Sequence, residues 1–224
     1  MCGRYALRVS APEVARILGL ETVGSIEPRF NIAPTQPVLA CRVDARGTRA
    51  VSVLRWGLIP HWARDDKSAY RMINARAETA AARPAFRVAL RRRRCLVPAD
   101  GYYEWQAGPS GKQPWFFHLD DDRPFCFAGI WERWDRGPDG PVESCAILTT
   151  APSALAAEIH DRMPVIVRPE DYATWLDPGI HDPAALAPLL RPYDEPELVV
   201  HPVSRWVNSP AHDDPRCTEP APSV

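Results

Sequence analysis

The sequence predicts a single β-rich α+β domain, with a curled or barrel-like antiparallel sheet and flanking helices. Three observations carry this. Short apolar and aromatic runs alternate with turn clusters at 106–111, 120–123 and 135–141, the rhythm of strands joined by tight connections. Prolines, 25 in 224 residues, are spread over the whole length and favour short elements over long helices. There is no βαβ rhythm, glycine-rich phosphate loop or internal repeat, so the strands are expected to pair antiparallel with helices packed outside them.

The elements follow in order. Arg4 to Val9 alternates and reads as a first strand. Ser10-Ala-Pro-Glu13 opens a helix: Ser10 caps it, Pro12 suits its first turn, and Glu13 completes a capping box. Gly19 stops that helix after Leu18. Residues 21–37 read as loop, with a rigid Phe30-Asn-Ile-Ala-Pro-Thr35 segment. Val38–Val43 and Arg49–Trp56 form a hairpin about the turn Asp44–Gly47. An aromatic loop, Gly57-Leu-Ile-Pro-His-Trp62, leads through polar residues to the extended stretch Met72–Arg76. Short helices are expected over 77–82 and 85–92, the second with Phe86 and Leu90 at i and i+4. Strands are expected at 95–98, 102–105, 112–119, 124–131, 144–149, 165–167 and 198–203, and short helices at 152–159, 169–175 and 183–190. The domain spans 1–209, and the polar, Pro-rich residues 210–224 read as a disordered tail.

Composition excludes several classes. Hydrophobic residues are 46%, charged residues 25% and net charge is -1, so any polyanion must be held by a local basic patch. Six cysteines, at 2, 41, 95, 126, 145 and 217, fit no zinc spacing, and Cys95, Cys126 and Cys145 lie in apolar runs as buried free thiols. No metal and no cofactor is expected. No run approaches the ~20 apolar residues of a membrane span, and no secretion signal follows Met1. A monomeric, cytoplasmic protein in a reducing compartment is the expectation.

Chemistry is suggested at a few positions. If Met1 is removed, Cys2 carries a free α-amine and a thiol on one residue, a 1,2-aminothiol that condenses with aldehydes. Glu104 stands in an aromatic strand between Tyr103 and Trp105; a carboxylate held among aromatics tends towards a raised pKa and suits acid–base work, although a strand glutamate on a wet face reads the same way. His160 stands where a short helix gives way to Asp-Arg-Met-Pro164, as a proton shuttle or as a helix cap. In an extended backbone Arg162 would point the same way as His160. Asn74 and Arg76 share a face if Met72–Arg76 is extended, an amide to orient a nucleophile beside an arginine for phosphate. Arg4 lies two residues from Cys2, and Trp62 and Trp105 suit stacking on bases. The run Arg91–Arg94 reads either as a solvated helix C-terminus or as a polyanion contact.

The stretches Met1-Cys-Gly-Arg4, Asn31-Ile-Ala-Pro34, Arg55-Trp-Gly-Leu-Ile-Pro60, Ile73-Asn-Ala-Arg-Ala-Glu78, Arg94-Cys-Leu-Val-Pro98, Asp100-Gly-Tyr-Tyr-Glu-Trp105, Ile159-His-Asp-Arg-Met-Pro164 and His201-Pro-Val-Ser204 together resemble the SRAP family, the SOS-response-associated peptidase-like, abasic-site processing proteins. They run in family order from residue 1 to about 208. The resemblance implies a compact β-rich domain with a positively charged groove that binds single-stranded DNA and crosslinks to the aldehyde of an abasic site. It implies Cys2 as nucleophile after loss of Met1, Asn74, Glu104 and His160 as its supporting residues, and Arg4, Arg76, Arg162 and Trp105 against DNA. A second tryptophan that some members carry after the position of Trp62 is Ala63 here. The expected activity is a thiazolidine crosslink with weak lyase side chemistry and reversal, at the nucleoid when bound to damaged DNA. The alternatives are a cysteine peptidase acting on its own terminus, with Cys2 and His160 as its dyad, and a non-catalytic single-strand-binding module.

Overall fold

A computed structural model describes residues 2–44, 46–109 and 111–221. Its strands are β1 (Tyr5–Leu7), β2 (Arg29–Ile32), β3 (Pro37–Val43), β4 (Arg49–Trp56), β5 (Asn74–Arg76), β6 (Arg94–Ala99), β7 (Gly101–Gln106), β8 (Gln113–Leu119), β9 (Phe125–Trp134), β10 (Val142–Thr150), β11 (Met163–Pro164), β12 (Ile166–Val167) and β13 (Leu198–Pro202). The helices are short: α1 (Ala11–Leu18), α2 (Ala77–Ala80), α3 (Arg87–Arg92), α4 (Ala154–Ala157), α5 (Tyr172–Leu176) and α6 (Pro183–Leu186).

The curled sheet that the sequence predicts closes on itself. β4 pairs with β3, β3 with β6, β6 with β9, β9 with β10, and β10 returns to β4, which makes a five-stranded barrel. The seam β10–β4 is parallel, as is the pairing of β5 with β10, so antiparallel pairing is the rule rather than universal. A second, antiparallel sheet runs β13-β8-β7-β1-β2. Tyr5 of β1 joins the two, its ring packing edge-on to Trp56 of β4 and Phe127 of β9 at 5.3 and 5.7 Å. All six cysteines are buried and unpaired. No helix among the described residues is long and apolar enough to cross a membrane.

Local chemistry explains most element ends. Glu13 accepts the Ser10 backbone N–H at 2.9 Å, and Gly19 takes the left-handed φ of 66° that closes α1. Gly101 admits the Phe116 ring so closely that a Cβ there would lie 2.1 Å from it. The loop expected over 21–37 contains β2, which hydrophobic patterning misses because its anchor comes from the far end of the chain. The expected helix at 152–159 contracts to α4, where the Ser153 side chain accepts from Ala156 N. The arginine run divides. Arg91 and Arg92 are exposed, but Arg94 is 6% exposed, and its guanidinium caps the carbonyls of Leu90, Arg91, Trp175 and Asp177.

Residues 210–221, expected to be a disordered tail, form a packed strap; residues 222–224 of that expectation lie outside the described residues. Asp213 accepts the backbone N–H groups of Phe30 and Asn31 and the Arg29 guanidinium. Asn31, fully buried, donates to the carbonyls of Val207, Ser209 and His212. Cys217 is buried, and Val203 bridges Pro220. Polar composition concealed this because the strap is anchored by specific hydrogen bonds, with Cys217 as its buried apolar contact beside Ala6, Tyr103 and Phe116. Asp213→Ala strands two β2 N–H groups and a guanidinium, and should lower unfolding stability by about 3 kcal/mol, from the range for charge-assisted hydrogen bonds, in urea denaturation.

Candidate functional site

The start of the chain lies in the core rather than on the surface. Cys2 is completely buried, and its Sγ donates to the Arg4 carbonyl at 3.8 Å. That carbonyl also receives the Tyr103 N–H at 3.0 Å, so the thiol lies against β7. Asn74, the first residue of β5, donates from Nδ2 to the Cys2 carbonyl at 2.7 Å. β5 is itself held by β10, where Asn74 is in register with Ile147. The other amide atom, Asn74 Oδ1, is buried without a partner.

Glu104 of β7 is 3% exposed, and burial pushes its carboxyl up to about 7. The environment among aromatics is thus the protonation-tuning one, and the wet-face alternative is excluded. The Cys2 thiol is pushed well above its ordinary range by burial, with the Glu104 charge adding to the effect. His160 follows α4, and its Nδ1 accepts the Arg162 N–H at 3.1 Å. Nδ1 also lies 3.0 Å from Asp161 Oδ1, and Nε2 faces Glu104 Oε2 at 3.8 Å, longer than a hydrogen bond. Burial holds the His160 imidazole below its usual value. Near neutrality the site therefore holds a thiol, a neutral imidazole and a carboxyl close to half-ionised.

Two hollows flank Cys2. A cleft of about 520 Å³ is lined by Gly3, Arg4, Glu104, Trp105, Lys112 and His160, with Asn208 at its edge. A second hollow of about 480 Å³ includes Trp62, Arg71, Asn74, Arg76, Arg83 and Phe86 in its wall. Trp62 is 52% exposed, and the Arg76 side chain is exposed as well. Trp105 donates to Asn208 Oδ1 at 2.8 Å, with the Arg4 guanidinium carbon 5.8 Å from its ring centre.

The structure thus brings Cys2, Asn74, Glu104, His160, Arg4 and Trp105 into one locus, with Arg76 and Trp62 in the neighbouring hollow. Arg162 does not join them. Its guanidinium is bidentate to Glu78 at 2.7 and 2.8 Å and donates to the Thr149 carbonyl at 2.6 Å. The extended backbone that would point it alongside His160 is replaced by a bend at Asp161, and Glu78 already supplies the anion. Met1 lies outside the described residues.

A family model described as SOS response associated peptidase (SRAP) matches residues 1–210. The chain belongs to the SRAP family. It is similar to the Abasic site processing protein YoqW of Bacillus subtilis (strain 168), 41% identical over 98% of this chain and 99% of that protein. It is also similar to the Abasic site processing protein HMCES of Gallus gallus, 30% identical over 98% of this chain and 78% of that protein. The crystal structure of a protein from Bacteroides thetaiotaomicron superposes with a TM-score of 0.87 at 27% identity, covering 98% of this chain and all of that one.

In this SRAP domain sequence reasoning missed Lys112 and Asn208 on one side of Cys2, and Arg71 and Arg83 on the other. Lys112 opens a strand candidate and Asn208 precedes the tail, so neither stands out by spacing. Only the pairing of β7 with β8 and the docking of the 205–208 turn bring them to the cleft. The Glu104 carboxyl has a direct energetic signature. Its pKa is raised from 4.5 to about 7, so the native state holds this proton more tightly than the unfolded chain does. Its stability contribution is intact below pH 4.5 and is lost as pH rises through 7. Glu104→Gln removes that loss: its stability relative to the native protein should climb between these pH values and level off near 3 kcal/mol (an order-of-magnitude figure) above pH 7, followed by urea denaturation across pH.

Proposed function

We propose that this chain is an abasic-site processing protein that holds single-stranded DNA and joins Cys2 covalently to the ring-opened aldehyde of an abasic site. The observation that carries the reading is the seat of Cys2: a buried thiol whose own carbonyl is held by Asn74 and whose neighbour is a carboxyl with a pKa of about 7, at the wall of an open cleft. The names of the YoqW and HMCES relatives support the substrate.

In this reading removal of Met1 frees the Cys2 α-amine. Its ordinary pKa of about 7.7–8.0 leaves a useful neutral fraction near pH 7. The amine adds to the aldehyde carbon and gives a carbinolamine. Protonated Glu104 gives its proton to the departing hydroxyl, water leaves, and an iminium forms. Glu104, now a carboxylate, takes the proton of the Cys2 thiol. The thiolate adds to the iminium carbon, and the nitrogen becomes a neutral ring amine. The net change is one thiazolidine formed and one water released. A carboxyl near half-ionised serves both as acid and as base. Thiol and amine on one residue make ring closure intramolecular. Asn74 fixes the carbonyl of the same residue and so orients the pair. His160, with Nε2 turned to Glu104, steadies the carboxylate and assists reopening. Closure consumes the iminium before β-elimination, so lyase activity is weak.

Arg76, Trp62, Trp105 and Arg4 are the DNA-facing residues in this scheme. Arg162 contributes indirectly, by anchoring the His160 turn to Glu78. The peptidase alternative has less support, because the Sγ partner is the Arg4 carbonyl and the His160 Nε2 is turned to Glu104, which leaves no thiolate–imidazolium pair.

The test is a denaturing gel of the purified protein with single-stranded oligonucleotides that carry or lack one abasic site, with intact mass to verify loss of Met1. A lesion-dependent, heat-stable shift is expected; peptide turnover without a shift would sink the scheme. Cys2→Ala should lose the heat-stable adduct but keep a borohydride-trappable imine. A tag left in front of Cys2 should abolish both.

A further inference from the structure

The cleft beside Cys2 contains two cations on its wall, Arg4 and Lys112. They are not equivalent. Arg4 Nη1 donates to Asn31 Oδ1 at 2.8 Å and to the Val207 carbonyl at 2.9 Å. Burial lowers its pKa, and its other neighbour is the Trp105 ring. Its guanidinium therefore fastens the 205–208 turn to the start of the chain, and only part of it faces the cleft. Lys112 differs in each respect. It is exposed, and among the described residues it makes no hydrogen bond or ion pair. It stands just before β8, at the end where Gln113 is in register with Gln106 of β7. Its charge reaches both Glu104 and His160, and lowers the pKa of each. The ammonium thus shares the cleft onto which those two groups open, next to Gly3.

We propose that Lys112 is the phosphate-holding residue of this cleft: its ammonium takes the phosphodiester next to the abasic sugar and so delivers the aldehyde to Cys2. This rests on the crosslinking reading above. A flexible lysine suits the task because the sugar must move from aldehyde to ring product while its phosphate stays held, and an ammonium acts as a compact point charge without a fixed fork geometry. The same placement explains the protonation of the site. An anion bound at Lys112 offsets one of the nearby positive charges that lower the Glu104 pKa, so the carboxyl is more fully protonated when DNA is present than when the cleft is empty. No bond to Lys112 forms or breaks.

The experiment compares native protein, Lys112→Ala and Lys112→Arg, all with Met1 removed and with thermal unfolding checked. The rate of adduct formation is measured on an abasic single-stranded oligonucleotide across salt concentrations, and on 2-deoxyribose, an aldehyde sugar without phosphate. Loss of one charge-assisted contact should raise KM for the oligonucleotide about tenfold in Lys112→Ala, with Lys112→Arg close to native. The dependence of log(kcat/KM) on log salt should be shallower in Lys112→Ala by about 0.7, the slope of one phosphate contact on a single strand. On 2-deoxyribose Lys112→Arg should match the native protein, and Lys112→Ala should lose less than it does on the oligonucleotide, because no phosphate contact is removed. An unchanged salt slope in Lys112→Ala would overturn the assignment, as would an equal loss on the phosphate-free sugar or a borohydride-trapped adduct mapped to Lys112. If the native protein itself forms no adduct, the crosslinking reading fails instead, and the two failures are told apart on one gel.

Discussion

The hydrogen bond from Asn74 to the Cys2 carbonyl is the contact on which the site depends. A chain start normally frays, because its ordering entropy is repaid by few neighbours. Here residue 2 is fixed by a side chain at the head of β5, and β5 is a strand of only three residues that leans on the barrel through β10. The barrel thus reaches the terminus through one amide. Because the seam of β10 with β4 is parallel, β4, β5 and β10 run the same way, and the loop between β4 and β5 carries Trp62 over the neighbouring hollow.

Burial also sets the protonation of the site. No metal-like charge is needed to hold a thiol, a neutral imidazole and a half-ionised carboxyl together; desolvation disfavours the charged form of each. The result is a locus with little net charge close to an open cleft, surrounded by arginines and a lysine that are still hydrated. Charge on the rim and neutrality within suit a polyanion whose reactive atom is an uncharged aldehyde carbon.

Much of this was legible before any coordinates. Ser10, Glu13 and Gly19 declare α1 through local chemistry, and the apolar runs declare most of the strands of the barrel. Glu104 stood out because a carboxylate between aromatics is energetically costly, and Asn74 and Arg76 because their spacing shares a face. What escaped was whatever depends on contacts across long stretches of chain. Barrel closure is a property of pairing between β10 and β4, not of either strand. Asp213 and Asn31 sit in segments that read as loop and tail, yet each is ordered by the other's backbone. Arg162 has the residue type of a phosphate ligand, but its partner, Glu78, lies 84 residues away and cannot be inferred from sequence spacing. The family motifs pointed to candidate residues; the hydrogen bonds distinguish those that face the cleft from those that brace it.

The strap over residues 210–221 bears on the life of the protein during its synthesis. Cys2 is made before Asn74, Glu104 and His160 around it, and before Val207 and Asp213, which hold Arg4 and β2. Ribosomes add residues vectorially, so a nascent chain presents its second residue long before the wall around it exists. Arg4 and β2 gain these partners only when residues 207–213 dock, where Arg4 donates to the Val207 carbonyl and Asp213 accepts the Asn31 N–H. The segment that follows Cys2 therefore gains its full set of partners only after synthesis has passed residue 213, long after residue 2 itself was made.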